Sequence, residues 1–348
     1  MQFRTLGDTG VKVSPFCLGA MMFGAWGNPD RHESVRMIHR ALDGGLNFID
    51  TADVYSRGES EEIVGEALAG GRRDRVVLAT KFHSSMGDDP NQSGNSRRWI
   101  MRACEDSLRR LNTDWIDIYQ AHRSDPSCDV DETLGALSDL IHQGKVRMAG
   151  SSTFPAWSIA EAQAVAERRG RERFRCEQPP YSILARGVEA DVLPVCQRYG
   201  MGVIAWSPLA GGWLTGKYRR GEPPPAGSRM ARGRIPDRFN LEKPENQRKL
   251  DLVEELAKVA SDAGIPLTQM ALAFVLQHPA VTSAIIGPRT PEQLDELLAM
   301  AAGDDLALDE AILDRIDALV PPGRTINPAD AGWTPPAVAN PSLRRRRA

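Results

Sequence analysis

Eight short apolar runs, each followed by a longer amphipathic stretch, limit what this chain can fold into more than any other feature of it. The runs are Phe16–Gly19, Leu46–Asp50, Val76–Lys81, Ile116–Gln120, Val146–Gly150, Phe174–Gln178, Val203–Trp206 and Ala284–Ile286. The amphipathic stretches are His32–Leu42, Glu61–Leu68, Ser96–Arg110, Glu132–His142, Ala156–Arg168, Val188–Arg198, Arg248–Ser261 and Pro291–Ala299. Their apolar residues recur at i, i+3 and i+4, as in Leu134, Leu137, Leu140 and Ile141, which sets one face of a helix. Gly44-Gly45, Gly144, Gly200 and Gly264 stand where such helices should end. Strands alternating with helices predict a parallel sheet covered by helices, and eight such units predict an α/β fold of the TIM (β/α)₈ barrel type. A doubly wound open sheet competes with this reading. It would want a Gly-x-Gly-x-x-Gly turn after the first strand, and the chain reads Gly19-Ala20-Met21-Met22-Phe23-Gly24 there.

Three segments fall outside the alternation. Phe3–Val13 reads as a β-hairpin around Gly7-Asp8-Thr9-Gly10, placed to close one end of the barrel. Leu209–Gln247 is a Gly/Pro/Arg-rich loop after the seventh strand, and a loop of that length in a compact domain usually has a function. The barrel domain is expected over residues 1–325. Residues 326–348 are expected to form an extended or partly disordered tail, ending in a solvated arginine run, Arg344–Arg347.

Composition narrows the function. With 43 basic and 46 acidic side chains the net charge is -3, so nothing here attracts nucleic acid. No stretch approaches the roughly 18–20 apolar residues of a membrane helix. Met1–Gly10 lacks the basic start and apolar run of a signal peptide. The five cysteines are scattered and form no CxxC pair, so neither a disulfide framework nor a metal site is expected. Reduced thiols fit a cytoplasmic protein.

In such a barrel the chemistry sits at the C-terminal ends of the strands. Asp50 ends the second run, Lys81 ends the third, His122 follows the fourth, and Tyr55 lies five positions beyond Asp50. A charge buried at a strand end needs a partner, so Asp50 and Lys81 should neutralise each other. The Lys81 ammonium should lower the pKa of Tyr55 from its ordinary value of about 10. Tyr55 then serves as proton donor to a carbonyl oxygen as hydride reaches the carbon. A neutral His122 orients that oxygen. Singly, these residues read as a loop cap, a packing aromatic, a solvated cation and a structural histidine. Their meeting at successive strand ends favours chemistry.

The same residues fall within longer motifs. Asn47–Tyr55 with Ser60-Glu61, Ile118–Asp125, Ala205–Gly212 with Leu214–Tyr218, and Ala284–Leu294 resemble four signatures of the aldo-keto reductase family. The third has the form of the family's bacterial branch, and the likeness covers about residues 3–320. The resemblance implies a catalytic tetrad of Asp50, Tyr55, Lys81 and His122, a small-molecule carbonyl substrate, and an NADP(H) cofactor across the barrel mouth. It implies Ser152 and Gln178 at the nicotinamide carboxamide, Trp206 on the ring, Ser207 and Leu209 at the pyrophosphate, and Gly211 allowing close approach. It further implies Arg289 and Gln293 at the adenosine 2′-phosphate, Glu296 on the adenine side, and Gly287 among the cofactor contacts. Two positions depart: Thr153 stands where the family often has asparagine, and Leu297 where an asparagine commonly meets the adenine amino group. An aromatic at a strand end offers a flat apolar face to a planar ring. A guanidinium just ahead of a helix joins its fork to free N-terminal amides at a phosphate. Trp26 and the Gly24–Pro29 loop are expected on the substrate side. Two other roles stay open: a redox-sensing regulatory binding subunit, and a dedicated sugar or natural-product ketoreductase using the arginine-rich Arg219–Arg234 loop. No pattern sets an oligomeric state.

Overall fold

The computed structural model describes residues 1–345 apart from positions 234, 304 and 305. Arg234 of the arginine-rich loop and the end of the arginine run, from 346 on, therefore lie outside the described residues. Strands β1 (Arg4–Thr5) and β2 (Lys12–Val13) pair antiparallel as the expected hairpin. The centre is a closed barrel of eight parallel strands: β3 (Phe16–Gly19), β4 (Phe48–Asp50), β5 (Val77–Phe82), β6 (Ile116–Ala121), β7 (Val146–Ser152), β8 (Phe174–Gln178), β9 (Gly202–Ala205) and β10 (Val281–Ile286). β10 pairs back onto β3, which closes the ring.

Side chains on a strand alternate between faces. Cys17, Phe48, Ala79, Ile118, Cys176 and Ile204 form an apolar cluster inside the ring, distinct from the larger core between the strands and the outer helices. Leu6 and Val13 of the hairpin complete this inner cluster, so the hairpin plugs the N-terminal end. Gly7 makes the plug fit: its φ is +50°, and a Cβ there would stand 2.4 Å from the Gly200 carbonyl oxygen. One pleat further along, the inward positions turn polar. Two residues past Phe48, Ala79, Ile118 and Cys176 stand Asp50, Lys81, Gln120 and Gln178, all buried. A period of two thus delivers one polar layer to the C-terminal end of the barrel.

The expected outer helices are present, with four differences. Val188–Arg198 is broken into a turn, Gly187–Ala190, and a helix, Val192–Arg198, whose first N–H is capped by the Asp191 carboxylate. Helices Leu267–Gln277 and Glu310–Leu319 carry too little pattern to be read. The first buries Met270 through Leu276 without a break, and the second buries only Ile316. The Leu209–Gln247 segment is not loop throughout. It holds the turns Ala210–Thr215 and Pro236–Phe239, and its end belongs to the helix Pro244–Asp262. The tail is not simply extended either. Short turns run through Pro328–Ala331, Pro336–Ala339 and Pro341–Leu343, and Asn327 and Asp330 are buried. No single helix among the described residues is long and apolar enough to cross a membrane.

Candidate active site

The polar layer at the C-terminal ends of the strands is centred on Asp50. Lys81, fully buried on the neighbouring strand, places its ammonium 2.5 Å from Asp50 Oδ1. The same ammonium donates to the Thr51 carbonyl at 2.8 Å and to the Tyr55 hydroxyl at 3.3 Å. Asp50 Oδ2 accepts from Gln178 Nε2 at 2.8 Å and Gln120 Nε2 at 3.3 Å. Both carboxylate oxygens are thus satisfied, which a buried charge requires. Gln120 was not singled out from the sequence, although it pairs with Lys81 in register and faces inward by the same alternation.

Tyr55 opens a tight turn, Tyr55–Gly58, in which Ser56 and Arg57 both have positive φ. Ser56 Oγ accepts from Trp26 N at 3.0 Å, which docks the loop after β3 onto this turn. The Trp26 ring lies 6.1 Å from Tyr55 and the His122 imidazole 5.8 Å from it, edge-on. Backbone strain gathers here. Of the seven non-glycine residues with positive φ among the described residues, six (Ser56, Arg57, His83, Thr153, Ser207 and Ala210) lie in loops at the C-terminal ends of the barrel strands. Such conformations cost about 1–3 kcal/mol each and persist where the surroundings hold them, commonly at functional sites.

Burial pushes the Tyr55 phenol above its ordinary pKa, while the Lys81 ammonium, and to a lesser degree Arg123, pull it down. The net direction is upward, which corrects the expectation of a lowered value: desolvation outweighs the ammonium. Burial alone would lower Lys81, but Asp50 and Tyr55 outweigh it and hold the ammonium charged. Burial, aided by Lys81, Arg123 and His83, holds His122 well below the ordinary imidazole range, so it is neutral. Its Nδ1 is buried without a hydrogen-bond partner among the described residues. Asp53, two positions before Tyr55, is a buried carboxylate that burial pushes well up, with Glu61 adding to the shift.

Asp50, Tyr55 and His122 open onto a cavity of about 680 Å³. Every residue singled out for the cofactor from the sequence also lines it, from Ser152 to Glu296; Lys81 alone of the predicted set lies behind the wall. Ser152 Oγ donates to the Gln178 carbonyl at 3.0 Å. Trp206 Nε1 donates to Thr153 Oγ1 at 3.2 Å, so Thr153 fixes the indole. The Arg238 guanidinium covers that indole at 5.6 Å, and Arg238 is in turn held by Asp330 of the tail at 2.5 Å. After Ser207 the backbone takes positive φ at Ala210, Gly211 and Gly212, a concave turn suited to an anion.

Beyond this turn the cavity wall is cationic. Arg289 precedes the helix Pro291–Ala302, whose N-cap is Thr290; its N–H donates to Gln293 Oε1 at 3.0 Å and its guanidinium to the Gly227 carbonyl. Lys217 and Arg229 stand near it, and burial, with repulsion from neighbouring arginines, lowers both of their pKa values. Among the described residues, none of the ion pairs includes Lys217, Arg229 or Arg289. Half-buried cations without acids form a site for a polyanion. Arg229 and Arg238 were not singled out from the sequence, because no periodicity fixes the path of the loop that carries them. Leu297 is buried on the same wall.

With this geometry in place, likeness to known proteins bears on the site. A family model described as the Aldo/keto reductase family matches residues 15–321. An uncharacterized oxidoreductase, YrpG, of Bacillus subtilis is 38% identical over 97% of this chain and 100% of its own length. A putative voltage-gated potassium channel subunit beta of Schizosaccharomyces pombe is 37% identical over 91% of this chain and 93% of its own. The versiconal hemiacetal acetate reductase of Aspergillus parasiticus is 35% identical over 86% of this chain and 92% of its own.

Proposed function

The chain belongs to the aldo/keto reductase family, and from that premise we propose that it is a cytoplasmic, NADP(H)-dependent reductase of aldehydes or ketones. The observation that carries this reading is the series from buried Asp50 and Lys81 to half-buried Tyr55, which opens onto a cavity beside a neutral His122. The cavity suits a dinucleotide in three respects: its volume of about 680 Å³, the indole of Trp206, and the unpaired cations beyond the positive-φ turn. Ser152 and Gln178 hold the carboxamide, and Trp206 takes the ring. Ser207, Leu209 and Gly211 meet the pyrophosphate, Arg289 and Gln293 with Gly287 the 2′-phosphate, and Glu296 the adenine side. The chemistry supplied by the bound cofactor is hydride to the carbonyl carbon. Tyr55 gives its proton to the carbonyl oxygen, and Lys81 stabilises the phenolate that remains. Asp50 keeps Lys81 charged. His122 donates to the oxygen and fixes its direction.

A second reading has support of its own, since three relatives are named as putative or probable voltage-gated potassium channel subunits beta. In that reading the barrel binds the cofactor as a regulatory sensor and turns over slowly. Steady-state NADPH oxidation across a panel of aldehydes and ketones separates the two. Turnover in the ordinary enzyme range, roughly 1–10³ s⁻¹, is expected with at least one class. Tyr55→Phe keeps the ring and removes the proton, so it should lose at least about 10²-fold in kcat with NADPH affinity kept. Tight NADPH binding without turnover of any carbonyl favours the sensor. Near-normal turnover in Tyr55→Phe removes that residue from its role.

A further inference from the structure

Five basic side chains line the cavity: Arg123, Lys217, Arg229, Arg238 and Arg289. Arg238 is neutralised by Asp330. Lys217, Arg229 and Arg289 are accounted for by the phosphates of the proposed cofactor. Arg123 is left over, and it directly follows His122 at the reacting end of the cavity.

Its placement is built rather than incidental. The Arg123 carbonyl accepts from Asn95 Nδ2 at 2.9 Å. Its Nη1 donates to the His122 carbonyl at 2.5 Å and to Thr153 Oγ1 at 3.3 Å, the same hydroxyl that fixes Trp206. These bonds use one nitrogen of the fork, and no other hydrogen bond from this guanidinium is found among the described residues. Nor does any ion pair there include it. The acidic groups that act on it are Tyr55 and, to a lesser degree, Glu177, the one carboxylate of the two, which is occupied by the Ser151 hydroxyl and the Phe154 N–H. Burial pushes Glu177 up to about 7, so it is a weak counter-ion. The same cavity is lined by the apolar side chains of Met21, Trp26, Val54 and Ile235. A half-buried guanidinium with free donors beside an apolar wall matches an organic anion.

We propose that Arg123 binds a negative charge on the substrate, so that the preferred substrates are carbonyl compounds with an apolar body and a carboxylate or phosphate group. This rests on the reductase reading of the same site. Three pairs of aldehydes test it with NADPH: succinic semialdehyde against butanal, 4-carboxybenzaldehyde against its methyl ester, and glyceraldehyde 3-phosphate against glyceraldehyde. In the wild-type protein kcat/KM should favour the charged member of at least one pair by about 10-fold or more, the range of a charge-assisted hydrogen bond. A preference confined to the first two pairs identifies a carboxylate, and one confined to the third a phosphate. In Arg123→Met that ratio should fall toward one, and Arg123→Lys should keep part of it, because a point charge replaces the fork. A ratio near one in every wild-type pair, or a ratio unchanged in Arg123→Met, overturns the proposal. If no aldehyde is turned over, it is the reductase reading that fails, and the anion site is then judged on binding. The NADPH-loaded protein is titrated with 4-carbamoylbenzoate and with its methyl ester, two amides that accept no hydride, and tryptophan fluorescence is followed. Tighter binding of the charged amide, lost in Arg123→Met, supports the site. Equal binding overturns it.

Discussion

A fully buried ammonium persists only where oxygens surround it, and Lys81 has three: Asp50 Oδ1, the Thr51 carbonyl and the Tyr55 hydroxyl. The pull of that ammonium on the phenol is opposed by desolvation, which already holds Tyr55 above its ordinary pKa. Lys81→Met removes the pull and leaves the desolvation, so the Tyr55 pKa should rise further. In the direction of alcohol oxidation Tyr55 acts as phenolate, and the pH of half-maximal activity should therefore move upward. A profile unchanged in position would leave Lys81 as a support for the loop. At the other end of the cavity, Arg289 has no acid to neutralise it among the described residues, and its neighbours Lys217 and Arg229 are cations. A charge-assisted contact to a 2′-phosphate contributes about 1.5–3 kcal/mol, or roughly 10- to 150-fold in affinity. Arg289→Ala should weaken NADPH by about that factor and leave NADH nearly unchanged, as read by quenching of tryptophan fluorescence. An equal loss for both cofactors would mean that Lys217 or Arg229 reads the phosphate instead.

At the scale of elements, the strands were legible because burial on an alternating surface leaves a period of two, and the same period carries Asp50, Lys81 and Gln178 inward. Gln120 obeys it equally, but a neutral amide at a strand end has no charge that demands explanation, so the pattern alone does not mark it. Leu267–Gln277 hides for the opposite reason: it is apolar around most of its circumference and shows no amphipathic period. The tail misled by composition. Its prolines suggest extended chain, yet an acid in it anchors two cations of the barrel: Asp330 accepts from Arg238 Nε at 2.5 Å and stands 2.5 Å from the Lys249 ammonium, without the alignment of a hydrogen bond. Two ion pairs to residues far apart in sequence leave no local trace. Asp330→Asn removes the shared counter-ion of two buried cations and should cost about 3–5 kcal/mol. It should also loosen Arg238 over Trp206, raising the Kd for NADPH. Denaturant midpoints read the first effect and cofactor titration the second. A cost below about 1 kcal/mol, the level of an exposed pair, would mean that the tail is held by its other contacts.

Across the whole molecule the barrel divides its labour by end. The hairpin plug and the inner apolar cluster close the N-terminal end, while strained loops and buried charges crowd the other. That second end carries a cost that depends on pH, and Glu177 on β8 makes it measurable. The carboxyl is fully buried, and burial raises its pKa from 4.5 to about 7, against the smaller opposing pull of the Ser151 hydroxyl, backbone N–H groups and Arg123. The folded protein therefore binds a proton that the unfolded chain has released, in the window between those two values. The stability this group contributes is fully present below about pH 4.5 and is lost as pH rises toward 7. At 1.36 kcal/mol per unit, the loss is about 3 kcal/mol, a large part of a typical stability of 5–15 kcal/mol. Glu177→Gln removes the ionisation. Its altered hydrogen bonds to Ser151 and Phe154 add a fixed offset that does not vary with pH. The difference in stability between variant and wild type should thus shift by about 3 kcal/mol in the variant's favour across that window. Denaturant unfolding of both proteins at several pH values measures the difference, and every group common to the two cancels from it. Parallel curves would show that Glu177 is already ionised in the folded protein at pH 5. Arg123 would then have a full counter-ion beside it, and the free charge at the reacting end of the cavity would be gone.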